Sequence, residues 1–122
     1  MDVERYLSHQ ERLIQMRDRE VATRLAQLEE AERRIVARLV QLGAKRVWRF
    51  GSLARQRGHP RSDLDLAVEG LPWTQDQLLA VAEEETSLPV DIVPLEKARP
   101  SLREHVRREG VLLYDQQGAP PG

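Results

Sequence analysis

No cysteine occurs anywhere in the 122 residues, and between residues 3 and 42 there is neither a proline nor a glycine. The first absence excludes disulfides and thiolate-ligated zinc. The second leaves forty residues free of helix breakers. No apolar run is long enough for a membrane span or a secretory h-region, so a soluble cytoplasmic protein is the default expectation. Charge of one sign is missing as well: 19 basic and 20 acidic side chains leave a formal net charge of −1. No global basic field therefore recruits nucleic acid, which argues against a polymerase or RNA-tailing role. The length suits one small domain with a modest core and leaves no room for a second domain to enclose a bulky small-molecule substrate.

What is present concentrates in the middle of the chain. Gly51-Ser52 is followed, after ten residues, by Asp63-Leu64-Asp65, and a third carboxylate, Asp91, lies inside the apolar run Val90-Asp91-Ile92-Val93. A nucleotidyl-transfer centre must hold a triphosphate and divalent cations, and hard cations such as Mg²⁺ take carboxylate oxygens supplied close together. Residues 64–68 are β-prone, so Asp63 and Asp65 project from one strand face while Leu64, Leu66 and Val68 project from the other. Asp91, on an adjacent strand, can turn toward that pair as Val90 and Ile92 enter the core. The Gly-Ser pair follows a strand, Val47–Phe50, where a residue without Cβ lets backbone N–H groups approach phosphate. Alone, a Gly-Ser dipeptide is most often a turn and an Asp-x-Asp a solvated loop; their joint spacing and the embedded third Asp give the pattern its weight.

These strings carry a resemblance. Phe50-Gly51-Ser52-Leu53-Ala54-Arg55, Ser62-Asp63-Leu64-Asp65-Leu66-Ala67-Val68 and Val90-Asp91-Ile92-Val93 resemble the minimal nucleotidyltransferases of the DNA polymerase β-like superfamily. The ending, Arg107 through Tyr114, is similar to the closing helix, glycine and apolar stretch of that family. The likeness spans about residues 44 to 115. It implies an α/β (α+β) domain, with a mixed sheet of three or four strands packed against helices, that uses ATP or another nucleoside triphosphate and releases pyrophosphate. Many similar proteins are antitoxins of HEPN-domain toxins, and some adenylylate a tyrosine of the toxin. By that resemblance Asp63, Asp65 and Asp91 hold two Mg²⁺ ions, with Mn²⁺ an alternative. Gly51, Ser52, Arg55 and Ser62 meet the nucleotide. Arg57 and Arg61 are either further phosphate contacts or solvated loop charges. One departure stands out: Gln56 follows Arg55 where family members commonly carry glycine, and the glycine comes later, as Gly58.

The N-terminal third predicts a long helix over residues 3–42, closed by Gly43 and supported by i,i+4 pairs such as Glu20 with Arg24 and Glu30 with Arg34. Its apolar series is Leu7, Ile14, Val21, Leu28, Ile35 and Leu42, widened from Val21 onward by Leu25 and Leu39. The expectation is that the half from Val21 packs on the sheet and the first half is an arm for a partner or for homo-oligomerisation, or else a solvated helix held by salt bridges. Residues 43–115 form the core domain and 116–122 a disordered tail. Within the core, Thr74-Gln75-Asp76-Gln77 has the form of a capping box opening a helix to about Glu85, and a second helix runs from Pro100 to Glu109. Trp48 and Trp73 read as packing residues, with Trp73 a weaker candidate for touching a nucleotide. Two functions stay open: a nucleotidyltransferase acting on a hydroxyl of a partner protein, and a binding module that neutralises its partner by occlusion.

Overall fold

The computed structural model describes residues 3–50 and 63–118, and among them orders one four-stranded mixed sheet with helices on it. The elements in chain order are α1 (Val3–Gln41), β1 (Arg46–Arg49), β2 (Leu64–Glu69), α2 (Gln75–Glu85), β3 (Val90–Pro94), a 3-10 turn (Leu95–Lys97), α3 (Pro100–Glu109) and β4 (Val111–Asp115). This is the α+β class expected of the small nucleotidyltransferase fold. The spatial order is β3-β2-β1-β4, with β1 antiparallel to both β2 and β4 and with β2 and β3 parallel. Parallel neighbours need a crossover, and α2 supplies it.

Alternation along the strands builds two apolar layers. Val47, Leu64, Leu66, Val68 and Ile92 pack with Ile35 and Leu39 of α1 and Leu78 and Ala82 of α2. On the opposite face Trp48 and Ala67 pack with Leu95 and with Val106 of α3. Trp73 packs at the margin of the first cluster.

Helix α1 stops where its sequence says it must. Gly43 adopts φ +109°, its N–H donates to the Val40 carbonyl at 3.0 Å, and the Ala44 N–H reaches back to the Leu39 carbonyl at 3.0 Å, the paired bonds of a Schellman cap. Its packed length differs from the expectation. Val21 and Leu25 are exposed, and burial begins only at Leu28 and Ala31. The reason is dimensional: the packed stretch from Leu28 to Leu42 spans about 21 Å at 1.5 Å per residue, and a six-residue strand spans about 20 Å. The helix outruns the sheet, and residues 15–27 are all exposed. Ion pairs to core elements flank the packed part: Arg49 to Glu32 at 2.7 Å, and Arg38 to Glu84 at 3.3 Å and to Glu85 at 3.0 Å. Each half-exposed pair contributes up to about 1 kcal/mol, whereas full burial of Ile35 or Leu39 contributes about 1.5–3 kcal/mol, so apolar contact holds the helix down.

The turn after β2 rests on Gly70, at φ +97°. A Cβ there would lie 2.6 to 2.9 Å from Lys45 atoms, one of them the backbone nitrogen that donates to the Glu69 carbonyl. Gly70→Ala is expected to destabilise the domain by about 1–3 kcal/mol, read as a lower urea midpoint at unchanged slope. At the far end, the Asp115 carboxyl is held below its ordinary range, first by the Gln117 N–H, which donates to it at 2.9 Å, and also by the Gly118 N–H and Arg46. Because the folded form of this group is the more acidic, its contribution is present above about pH 4 and is lost as pH falls through the folded value. Wild type and Asp115→Asn should differ in melting temperature at pH 7, and the difference should shrink as pH falls below about 4. Gln116 and Gln117 still donate backbone hydrogen bonds, and residues 119–122 lie outside the described residues.

Candidate active site

The β2 strand places its carboxylates by alternation. Leu64, Leu66 and Val68 enter the layer with α1 and α2, so Asp65 shares the opposite face with Ala67. The parallel register then sets Asp65 against Asp91, Leu66 against Ile92 and Ala67 against Val93. Paired residues on adjacent parallel strands present side chains to one face about 4.8 Å apart, so Asp65 and Asp91 stand side by side at the β2–β3 half of the sheet.

Asp63 precedes β2 by one residue. Its N–H donates to the Pro89 carbonyl at 2.9 Å, which extends the pairing between the two chain segments just ahead of the strands. Its carboxylate is ion-paired with the guanidinium of Arg24, from the exposed stretch of α1. The Asp91 carboxylate has a different partner: Gln75 Nε2 donates to Oδ1 at 2.9 Å. Phe50, which directly precedes Gly51 in the chain, donates its N–H to the Asp65 carbonyl at 3.0 Å, so the route out of β1 toward the Gly-Ser pair begins beside Asp65. Gly51, Ser52, Arg55 and Ser62 themselves, with Arg57 and Arg61, lie outside the described residues.

The three predicted carboxylates are thus brought to one end of β2 and β3 but are not gathered equally. Among the described residues no three His, Cys, Asp or Glu side chains are grouped closely enough to hold a metal ion. Asp63 is engaged by Arg24 and Asp91 by Gln75. The donor chemistry nevertheless fits Mg²⁺, which is commonly held by one or two carboxylates together with substrate phosphates and does not require an all-protein cage. Asp65 and Asp91 are such a pair.

Sequence reasoning missed Gln75 and Arg24. Gln75 is the first residue of α2, whose capping box is complete: the Thr74 hydroxyl accepts from the Gln77 N–H at 3.2 Å and the Gln77 side chain accepts from the Thr74 N–H at 2.9 Å. The sequence signalled the helix start but not which strand it faces. Thr74→Ala should cost about 1 kcal/mol of stability; with the first turn loosened, Gln75 should also hold Asp91 less well, seen as broadened amide resonances at Gln75. Arg24 read as a partner of Glu20, one turn away, and nothing local announces a contact 39 residues distant. Beyond Gln75 opens a cavity of about 720 Å³ lined by Thr74, Val93, Leu102 and the cations Lys97 and Arg99. It adjoins the carboxylate pair through Gln75.

Residues 34–119 match the family model described as polymerase beta, nucleotidyltransferase. Among solved structures, the chain is similar to one chain of a crystal structure of a toxin-antitoxin with AMP-PNP, at 26% identity and a TM-score of 0.56, over 71% of this chain and 75% of that one. A search of curated proteins gave no match.

Proposed function

The chain belongs to the polymerase β nucleotidyltransferase family, and on that footing we propose that it transfers AMP from ATP to a hydroxyl of a partner protein and serves as the antitoxin of a toxin-antitoxin pair. The observation that carries the reading is the register of Asp65 against Asp91. Two aligned carboxylates on one sheet face are a poor choice for a merely structural surface, because like charges at that spacing repel unless a cation lies between them. The similar chain from a toxin-antitoxin structure with AMP-PNP supports both the adenine nucleotide and the setting. A HEPN-type toxin with a tyrosine acceptor is the partner we propose, in line with the sequence resemblance.

Divalent cations, when bound, would neutralise triphosphate charge and stabilise departing pyrophosphate. Asp65 and Asp91 are the residues that would hold them, with Asp63 as the third ligand. The chain's own work is positioning. The bond from Gln75 fixes the rotation of the Asp91 carboxylate through Oδ1, and Oδ2 is the atom we assign to accept the proton of the attacking hydroxyl. The hydroxyl oxygen bonds to the α-phosphorus as the bond to the bridging oxygen breaks, and pyrophosphate carries that electron pair away. Gly51 and Ser52 would grip the outer phosphates by backbone N–H and hydroxyl, with Arg55 and Ser62 as further nucleotide contacts.

The test is transfer of label from α-labelled ATP, with Mg²⁺, to the product of an adjacent co-transcribed gene. Label on that partner supports the proposal. One observation favours a second reading, a nucleotidyltransferase fold that neutralises by occlusion: residues 15–27 are exposed throughout and include the large apolar side chains Met16, Val21 and Leu25. A tight complex that forms without label would support that alternative.

A further inference from the structure

Arg24 is exposed over 47% of its side chain and sits in the part of α1 that has left the sheet, yet its guanidinium is committed to Asp63, whose side chain is only 29% exposed. A helix surface offers such an arginine nearer partners, Glu20 one turn before it among them. The contact it makes instead is with the one predicted metal ligand that does not join the Asp65–Asp91 pair.

We propose that Arg24 is a built-in cation surrogate: it occupies the Asp63 carboxylate in the metal-free protein and competes with the divalent cation for it. The inference rests on the proposed nucleotidyl-transfer site and deepens it, because it names the residue that sets cation loading. Three features of the chain fit this role. A guanidinium satisfies carboxylate oxygens with charge-assisted hydrogen bonds, as a cation would by coordination. Asp63 makes this contact while no three acidic or imidazole side chains among the described residues are grouped closely enough for a metal, so a cation taking up Asp63 has to displace Arg24. Residues 15–27 are otherwise exposed, so Arg24 can release without breaking apolar packing. Cation loading at Asp63 therefore frees a tie between the projecting half of α1 and the core. By reciprocity, whatever binds that half of the helix and captures Arg24 raises the affinity of the site for its cation.

The probe is Mn²⁺, with unbound ion counted by its paramagnetic resonance signal in the absence of nucleotide and of any turnover. Arg24→Gln should bind Mn²⁺ about fivefold more tightly than wild type, the scale set by a partly exposed ion pair. In an Asp63→Asn background the same replacement should change nothing, since the competition no longer exists. Equal affinity with and without Arg24, or an effect that persists in Asp63→Asn as a general consequence of removing a positive charge, would overturn the surrogate role. The site reading fails separately: it is overturned, and the surrogate with it, if Asp65→Asn leaves Mn²⁺ affinity at the wild-type value. Circular dichroism of Arg24→Gln checks that α1 remains helical, as expected for an exchange at an exposed position by another good helix former.

Discussion

Asp65→Asn should reduce nucleotidyl transfer by at least about a hundredfold while leaving the fold intact. Even groups that only orient a metal ligand typically cost 10- to 100-fold when removed, so a residue holding the cation directly should cost no less. The substitution keeps the size and shape of the side chain and removes a negative charge from beside Asp91. Circular dichroism and thermal melting in the absence of cation check that the fold is kept. Asp91→Asn should differ in kind: its proposed role as proton acceptor predicts a loss in transfer rate larger than the loss in ATP affinity. Single-turnover rates measured beside equilibrium ATP binding separate the two. A variant at Asp65 that transferred label at the wild-type rate would remove this residue from the chemistry.

The largest stability effect should come from Leu39→Ala, at about 3 kcal/mol, within the range for truncating a fully buried leucine. Leu39 has no exposed surface and lies one helical turn from Ile35, which has none either, and together they seat α1 on Val47, Leu66 and Val68. Its carbonyl also accepts the closing bond of the helix cap. Met16→Ala, in the same helix but with 54% of the residue exposed, should change stability by less than about 0.5 kcal/mol. Equilibrium unfolding in urea measures both, and the contrast tests directly where packing of α1 begins.

Much of this architecture was legible because local rules and tertiary context agree. The capping box at Thr74 and the left-handed Gly43 each specify an element end in a few residues, and both helix ends fall where those residues place them. Alternation in 64–68 put Asp65 on the face opposite Leu64, Leu66 and Val68, and the apolar flanks of Asp91 marked its strand, whereas Asp63, one residue ahead of β2, pairs with Arg24. The length of α1 in contact with the core was not legible, because periodicity reports which face of a helix is apolar and not how far the sheet beneath it extends. Val21 and Leu25 continue the stripe of Leu28 and Ile35 with nothing under them. Nor could the sequence foretell that Arg24 would leave Glu20 for Asp63. That choice depends on where the helix crosses the end of β2, a relation that no spacing along the chain encodes. The family resemblance read from the Gly-Ser, Asp-x-Asp and Asp91 strings agrees with the family model over residues 34–119.

The sheet order carries one more consequence. Asp91 lies on β3, an outermost strand that pairs only with β2 among the described residues, while Asp65 lies on an inner one. Edge strands are common places for a folded protein to fray, and each opening of β3 carries one carboxylate away from the other. A ligand that bridges the two therefore acts as a clasp across the seam between inner and outer strand. Its binding energy is spent partly on suppressing that fraying, so the amide protons of residues 90–93 should exchange more slowly with solvent as cation and nucleotide are added, and those of β1 should hardly change.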